Sequence, residues 1–306
     1  MLELVNVEYE KELVARVKEM VEPGCEIYGV DIFRCNQFAY RGLVCKQPRH
    51  SGTVVSAVAN ISKYMEVNMD LDIAAGLVVS DFKLTLPFDM GKFERFLDFE
   101  KVKSRIRIKL VNKARNLRYL ERLETLDFLD LVIVPYVLLD EAEEGVYSFN
   151  VTKQIANVWK LDASRLCDIA IDNITNSQDW TVRDMKNVML EFIAHSSATV
   201  DELHDYDIGP VDMKMLVVTN RKAIDGASVI LCNDVIKEIQ RQVGEDFVVI
   251  PSSRHEVIII PADEVDPAML KDLVEQVNRE QVSREDFLAD NVYFYNHTTG
   301  RFEYLI

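Results

Sequence analysis

Between Met213 and Val282 the chain carries its densest set of structural signals, and they leave few folds open. Met213 to Thr219 is a short apolar run, MKMLVVT. Asn220 to Gly226 follows and closes on Asp225-Gly226, a turn signal because glycine tolerates positive φ. Ala227 to Leu231 is a second run, so the pair predicts a hairpin. Asn233 stands where an N-cap belongs, Val235, Ile236, Ile239 and Val243 follow at helical spacing, and Gly244 ends the helix. Phe247 to Ile250 and Glu256 to Ile260 predict a second hairpin, turned by Pro251-Ser252-Ser253-Arg254. Asp266-Pro267 opens the last long helix with proline at N1, and Leu270, Leu273, Val274 and Val277 form its expected buried stripe. Hairpins in place of βαβ crossovers predict an α+β fold, a mostly antiparallel sheet with helices on one face.

The earlier chain reads the same way. Tyr9, Leu13, Val17 and Met20 share one helical face, stopped by Pro23-Gly24. Cys25 to Phe33 and Phe38 to Lys46 predict a hairpin around Cys35-Asn36-Gln37. Thr53 to Ala59 predicts a strand, with Asn60 capping a short helix, and Asp70 or Asp72 opens a helix bearing Ile73, Leu77 and Val78. Phe88, Phe93, Phe96 and Phe99 are core packing in this reading. Arg105 to Leu110 alternates, with Arg105, Arg107 and Lys109 on one face and Ile106, Ile108 and Leu110 on the other. Asn112 starts a helix with Leu117 and Leu120. Phe128 to Leu139 predicts a buried strand in which Pro135 marks a bulge or an edge. Thr152 and Asp162 cap two helices, and Thr181 with Asp184 forms a capping box for a third. Val292 to Tyr295 and Phe302 to Ile306 close the chain as a hairpin around His297 to Gly300.

Hairpin, cap and helix recur in that order at 54–65, 146–159 and 227–243, either a degenerate repeat or the ordinary habit of an α+β chain. A soft boundary near residue 125 divides 1–125 from 126–306, two regions also compatible with one continuous unit.

An apolar share of 48% supports a packed core, and no apolar run reaches the roughly 18 to 20 residues that span a bilayer. The start, MLELVNVEYEKE, lacks the basic head and apolar core of a secretory signal, so a cytoplasmic protein without membrane contact is expected. A net charge of −16 disfavours general nucleic-acid binding, which depends on phosphate neutralisation. Five cysteines without a C-x-x-C pair read as reduced thiols.

Four places could hold chemistry. Ser253, Arg254, His255 and Glu256 gather at a hairpin tip. Ser253, His255 and Glu256 are the candidate catalytic set of a hydrolase or transferase, but no G-x-S-x-G elbow accompanies them. A polar turn satisfying its own backbone explains the same residues, and an anion role suits Arg254 and His255 better than catalysis. His195, His204 and Asp207, with Asp201, Glu202 and Asp205, are candidate metal ligands whose spacing matches no known motif. Lys101, Lys103, Arg105, Arg107, Lys109, Lys113, Arg115, Arg118 and Arg122 make a basic block in an acidic chain. It suits phosphate, with Arg105, Arg107 and Lys109 as ligand-binding candidates, or it pairs with acidic groups of the same chain. Cys232 precedes an expected helix N-terminus and is either a lowered-pKa thiol or a small buried residue. No P-loop and no G-x-G-x-x-G is present, and no cofactor is called for.

The segments DFEKVKSRIRIKLVNKARN, FLDLVIVPYVLLD and VVTNRKAIDGASVILCNDVIKEIQRQVGEDFVVIPSSRHEVIIIP resemble a family of uncharacterised bacterial proteins of gut-anaerobe Firmicutes, a domain of unknown function. The likeness runs from about residue 90 to the end. It implies a bacterial cytoplasmic protein and brings no activity or site residues. The leading expectation is a non-catalytic protein binding an anionic or macromolecular partner, with the Ser253/His255/Glu256 enzyme and nucleic-acid binding through 101–122 as alternatives. The sequence does not decide whether the chain is an enzyme, nor its oligomeric state.

Overall fold

The computed structural model describes residues 7–37, 39–48, 54–85, 98–142, 145–195, 214–264 and 266–305. The chain divides into two compact units, Met1–Phe96 and Leu97–Ile306.

In the first unit α1 (Val7–Met20) buries Tyr9, Leu13 and Val17 at four-residue spacing, while Met20 is exposed. The hairpin of β1 (Glu26–Phe33) and β2 (Ala39–Pro48) turns through Cys35–Gln37, with Asn36 at φ 62°. β3 (Val54–Asn60) completes a sheet of order β1-β2-β3. The Asn60 side chain accepts from the Ser62 amide and opens the turn Ser62–Glu66. Asp70 accepts from the amides of Asp72 and Ile73 and starts α2 (Leu71–Thr85). That helix buries Ala74, Ala75, Val78, Val79 and Phe82 and exposes Ile73 and Leu77, so its inner face is rotated from the expected stripe. Arg41 links three elements, reaching Glu10 of α1 and Asp31 of β1 at 2.7 and 2.9 Å. A Cβ on Gly29 would lie 1.9 Å from the Glu10 carboxylate, so only glycine leaves this ion pair room.

The second unit opens with β4 (Ile106–Asn112), β5 (Leu126–Phe128), β6 (Leu131–Ala142) and β7 (Gly145–Asn150). Arg105 lies in the 3-10 turn before β4 and not in the strand. Asn112 ends β4, and its side chain accepts from the Arg115 amide. β6 is central and pairs β4, β5 and β7. Pro135 therefore sits in neither an edge strand nor a bulge; the register shift falls between Leu138 and Asp140. The Pro135 carbonyl accepts from Val151, so its missing N–H faces the gap between the last β5 partner, Ile133, and the first β7 partner, Tyr136. Thr152 and Asp162 cap α3 (Lys153–Trp159) and α4 (Ala163–Ser177) as expected. Thr181 belongs to β8 (Thr181–Asp184) and caps nothing; Asp184 alone accepts from Lys186 at the start of α5 (Met185–His195).

β9 (Leu216–Thr219), α6 (Asn233–Val243), β10 (Phe247–Ile250), β11 (Glu256–Pro261), α7 (Pro267–Glu280), β12 (Tyr293–Asn296) and β13 (Arg301–Tyr304) follow. Their sheet has the order β13-β12-β10-β11-β9-β8, antiparallel at every pairing. The α+β class and the hairpins of β10–β11 and β12–β13 are as expected. Gly226–Leu231 is not a strand but a 3-10 helix. Gly226 to Ile230 are buried without alternation, and the Ser228 hydroxyl donates to the Ile108 carbonyl on the open side of β4. The segment is a wedge that covers this edge, which removes the third copy of the hairpin–helix pattern. Cys232, not Asn233, is the N-cap of α6. Val274 alone of the expected α7 stripe is fully buried; Leu273 and Val277 are exposed.

Candidate functional site

Residues from three segments, 225–226, 252–256 and 283–286, meet at the β10–β11 tip. Asp225 adopts a left-handed φ of 53° and Gly226 follows with no room for a side chain: a Cβ there would lie 2.6 Å from the Asn220 nitrogen and from the His255 carbonyl oxygen. That close approach lets the Asp225 N–H donate to His255 Nδ1 at 3.1 Å. A backbone N–H can only donate, so Nδ1 carries the lone pair and the hydrogen sits on Nε2. Nε2 faces Asp286 Oδ1 at 2.9 Å. Arg254 Nε donates to Asp225 at 2.6 Å, and the Arg254 amide donates to the Asp286 carbonyl. Burial raises the Asp286 carboxyl, but the Ser283 hydroxyl, the His255 N–H and the Arg254 charge outweigh it and hold the group below its ordinary value.

Ser253 and His255 are near in sequence but not joined side chain to side chain. The Ser253 hydroxyl donates to Glu256 at 2.7 Å and accepts from the His255 amide at 3.0 Å. Ser253 is only 8% exposed, and the Ser252 hydroxyl also donates to Glu256. Both imidazole nitrogens are occupied by protein groups. The arrangement chemically resembles a clamp: it fastens the 3-10 wedge and the 283–286 turn to the hairpin. Sequence reasoning missed Asp225 and Asp286 as partners. Their distance in the chain hid them, although Ser283-x-x-Asp286 carries a local turn signal that was available.

The basic block is mostly engaged within the chain. Lys101 pairs Asp98 at 2.8 Å, Lys113 pairs Asp127 at 2.8 Å, and Arg115 lies over the Phe287 ring and 3.6 Å from Asp290. Arg105 donates to the Leu139 carbonyl. Arg107 and Lys109 differ. They project from the same face of β4, two residues apart. Arg107 donates Nη1 to the Ser104 and Ile106 carbonyls. Its Nε is buried with no hydrogen-bond acceptor, and Asp179 stands 3.8 Å away, beyond hydrogen-bond reach. Lys109 is 9% exposed. Its ammonium lies 5.6 Å from the Tyr136 ring centroid, and among the described residues no carboxylate or carbonyl accepts from it.

The register extends this face into a polar row. Arg107 pairs Tyr136, and Tyr136 pairs Asn150 on β7; the Asn150 amide donates to the Tyr119 hydroxyl at 2.8 Å. Two cations, two phenols and an amide thus line one face of a sheet whose other β4 residues, Ile106, Ile108 and Leu110, are apolar and buried. Tyr119, Tyr136 and Asn150 carried no signal in sequence, because strand register decides which residues stand opposite Arg107.

His195 ends α5; His204, Asp207, Asp201, Glu202 and Asp205 lie outside the described residues. Among the described residues no group of three or more His, Cys, Asp and Glu could hold a metal ion. Cys232 is buried, with its thiol pushed up to about 11 by burial, the opposite of a reactive thiolate. A shallow cavity of about 370 Å³ in the first unit is lined by Glu8, Glu12 and Asp70, a charge that repels anions. No helix among the described residues is long and apolar enough to cross a membrane.

The chain belongs to the family of unknown function DUF5688, which matches residues 7–297. The match extends over the first hairpin as well as the region after residue 90. No curated protein and no solved structure matches the chain.

Proposed function

We propose, with membership of a family of unknown function as the premise, that this chain is a non-catalytic binding protein for an anionic partner, held by Arg107 and Lys109. One observation carries the reading. Lys109 is a residue only 9% exposed that meets no carboxylate among the described residues, beside an arginine nitrogen that lacks a hydrogen-bond acceptor and faces Asp179 at 3.8 Å. Burying an unpaired cation costs several kcal/mol in general terms, and an anion seated between the two cations would offset that cost. Tyr119 and Asn150 add neutral hydrogen-bonding groups along the same row. The engagement of Lys101, Lys113 and Arg115 by in-chain carboxylates favours a small anion over a nucleic-acid backbone, which needs a continuous basic stripe. The enzymatic reading of Ser253, His255 and Glu256 loses support because the imidazole is committed at both nitrogens. A bacterial cytoplasmic setting is part of the proposal and rests on the acidic charge, the free thiols and the family resemblance.

The test is calorimetric titration with phosphate, sulfate and small carboxylates at low ionic strength. At least one should bind, and Arg107→Gln should weaken it about tenfold or more, the worth of one charge-assisted hydrogen bond. Equal affinity in the variant, or no binding by any anion, would overturn the assignment.

A further inference from the structure

Cys25 and Cys45 stand in the first unit, apart from the basic row. The β1–β2 register sets Ile27 opposite Cys45. Cys25 is two residues before Ile27, so its side chain falls on the same face and diagonally across from Cys45. Cys45 belongs to one apolar cluster with Leu43 and Val17, and Cys25 packs against it; the Cys25 thiol is among the groups that raise the Cys45 thiol. Cys35 cannot compete. It lies in the turn at the far end of the eight-residue β1, roughly 26 Å from Cys25 at 3.3 Å per residue. Cys25 follows directly on the Pro23-Gly24 turn, where Gly24 takes φ +95° with open space around it. A bond of about 2.05 Å requires the Cys25 side chain to swing towards Cys45 at this turn.

We propose that Cys25 and Cys45 form a reversible redox pair that closes to a disulfide in the presence of a small-molecule disulfide. Cys25 is half-buried and Cys45 buried, so Cys25 reacts first. Its thiol gives a proton to solvent, and the thiolate attacks one sulfur of the small disulfide and displaces the other half as a thiolate. Cys45 then loses its proton and attacks the Cys25 sulfur of the mixed disulfide, releasing the second half. Two protons and two electrons leave the protein, and the small disulfide departs as two thiols. Burial pushes the Cys45 thiol up to about 11, which suits it to attack a sulfur already beside it and not one in bulk solvent.

The experiment incubates the full chain with oxidised glutathione, alkylates the remaining thiols and maps peptides by mass spectrometry. The expected result is a Cys25–Cys45 cross-link, reversed by dithiothreitol, with Cys35 alkylated. The linked form should melt about 5 °C or more above the reduced form, because the bond closes a loop in the unfolded chain. Cys25→Ser, at a partly exposed turn position, should fold and show no cross-link. A Cys25–glutathione adduct that goes no further, or a link from Cys25 to Cys35, would overturn the proposal.

Discussion

The His255 Nε2 hydrogen meets Asp286 Oδ1 at 2.9 Å while Nδ1 takes a hydrogen from the Asp225 backbone. One imidazole therefore ties three segments that are some thirty residues apart. His255→Ala leaves the Asp225 amide and the Asp286 carboxylate without that partner. It should lower stability by about 1–3 kcal/mol in urea unfolding, the usual cost of stranding polar groups. Anion affinity at Arg107 and Lys109 should be unchanged, since none of the clamp residues belongs to that row.

Gly226→Ala tests the same clamp from the other side. The added methyl would meet backbone at the Asn220 nitrogen and the His255 oxygen, both at 2.6 Å. Neither can swing away as a side-chain tip can. A loss of about 1–3 kcal/mol is expected, as for other overpacked sites, with the Asp225 amide losing protection in hydrogen exchange. A variant as stable as the parent would show that the wedge is loosely held.

Stability should depend on pH at both ends. Asp286 and Asp246 are held below the ordinary 3.8, Asp246 by the His297 amide and ring. Groups lowered on folding contribute stability above that ordinary value and lose it as pH falls through their folded values. Unfolding should therefore ease below about pH 4, and Asp286→Asn should flatten that acid slope. His297 is raised above 6.5 by Asp246 and Glu245. Its contribution is complete below 6.5 and fades as pH rises through the higher folded value. Thermal melts from pH 3 to 9 of the parent, of Asp286→Asn and of His297→Ala separate the two ends: His297→Ala should lose the decline above 6.5 and, with the ring gone from Asp246, part of the acid slope, while Asp286→Asn should change the acid slope alone.

Local signals in the sequence were enough for much of this fold. Asp162, Thr152 and Asp266 cap the helices they precede because capping acts over three residues. The β10–β11 and β12–β13 hairpins follow from β-branched and aromatic runs around short turns. Position 227–231 failed because an apolar run of five fits a strand and a buried 3-10 wedge equally. Pro135 failed because its tolerance depends on where two neighbouring strands stop and start. Of the candidate sites, the basic alternation of Arg107 and Lys109 was visible, but not the acceptor missing at Arg107 Nε or the lack of a carboxylate at Lys109 among the described residues, which set them apart from Lys101 and Lys113. Pairing is a tertiary property, and the Asp127 that neutralises Lys113 lies 14 residues away in the chain.

The most direct test of the account is Lys109→Met, melted with and without phosphate or whichever anion binds best. Methionine keeps the length and removes the charge. In anion-free buffer the variant should be more stable than the parent by about 1 kcal/mol, net of the lost contact with Tyr136. Added anion should raise the melting temperature of the parent and leave that of the variant still. A variant less stable than the parent, and still stabilised by anion to the same extent, would contradict the assignment of Lys109 to a binding site.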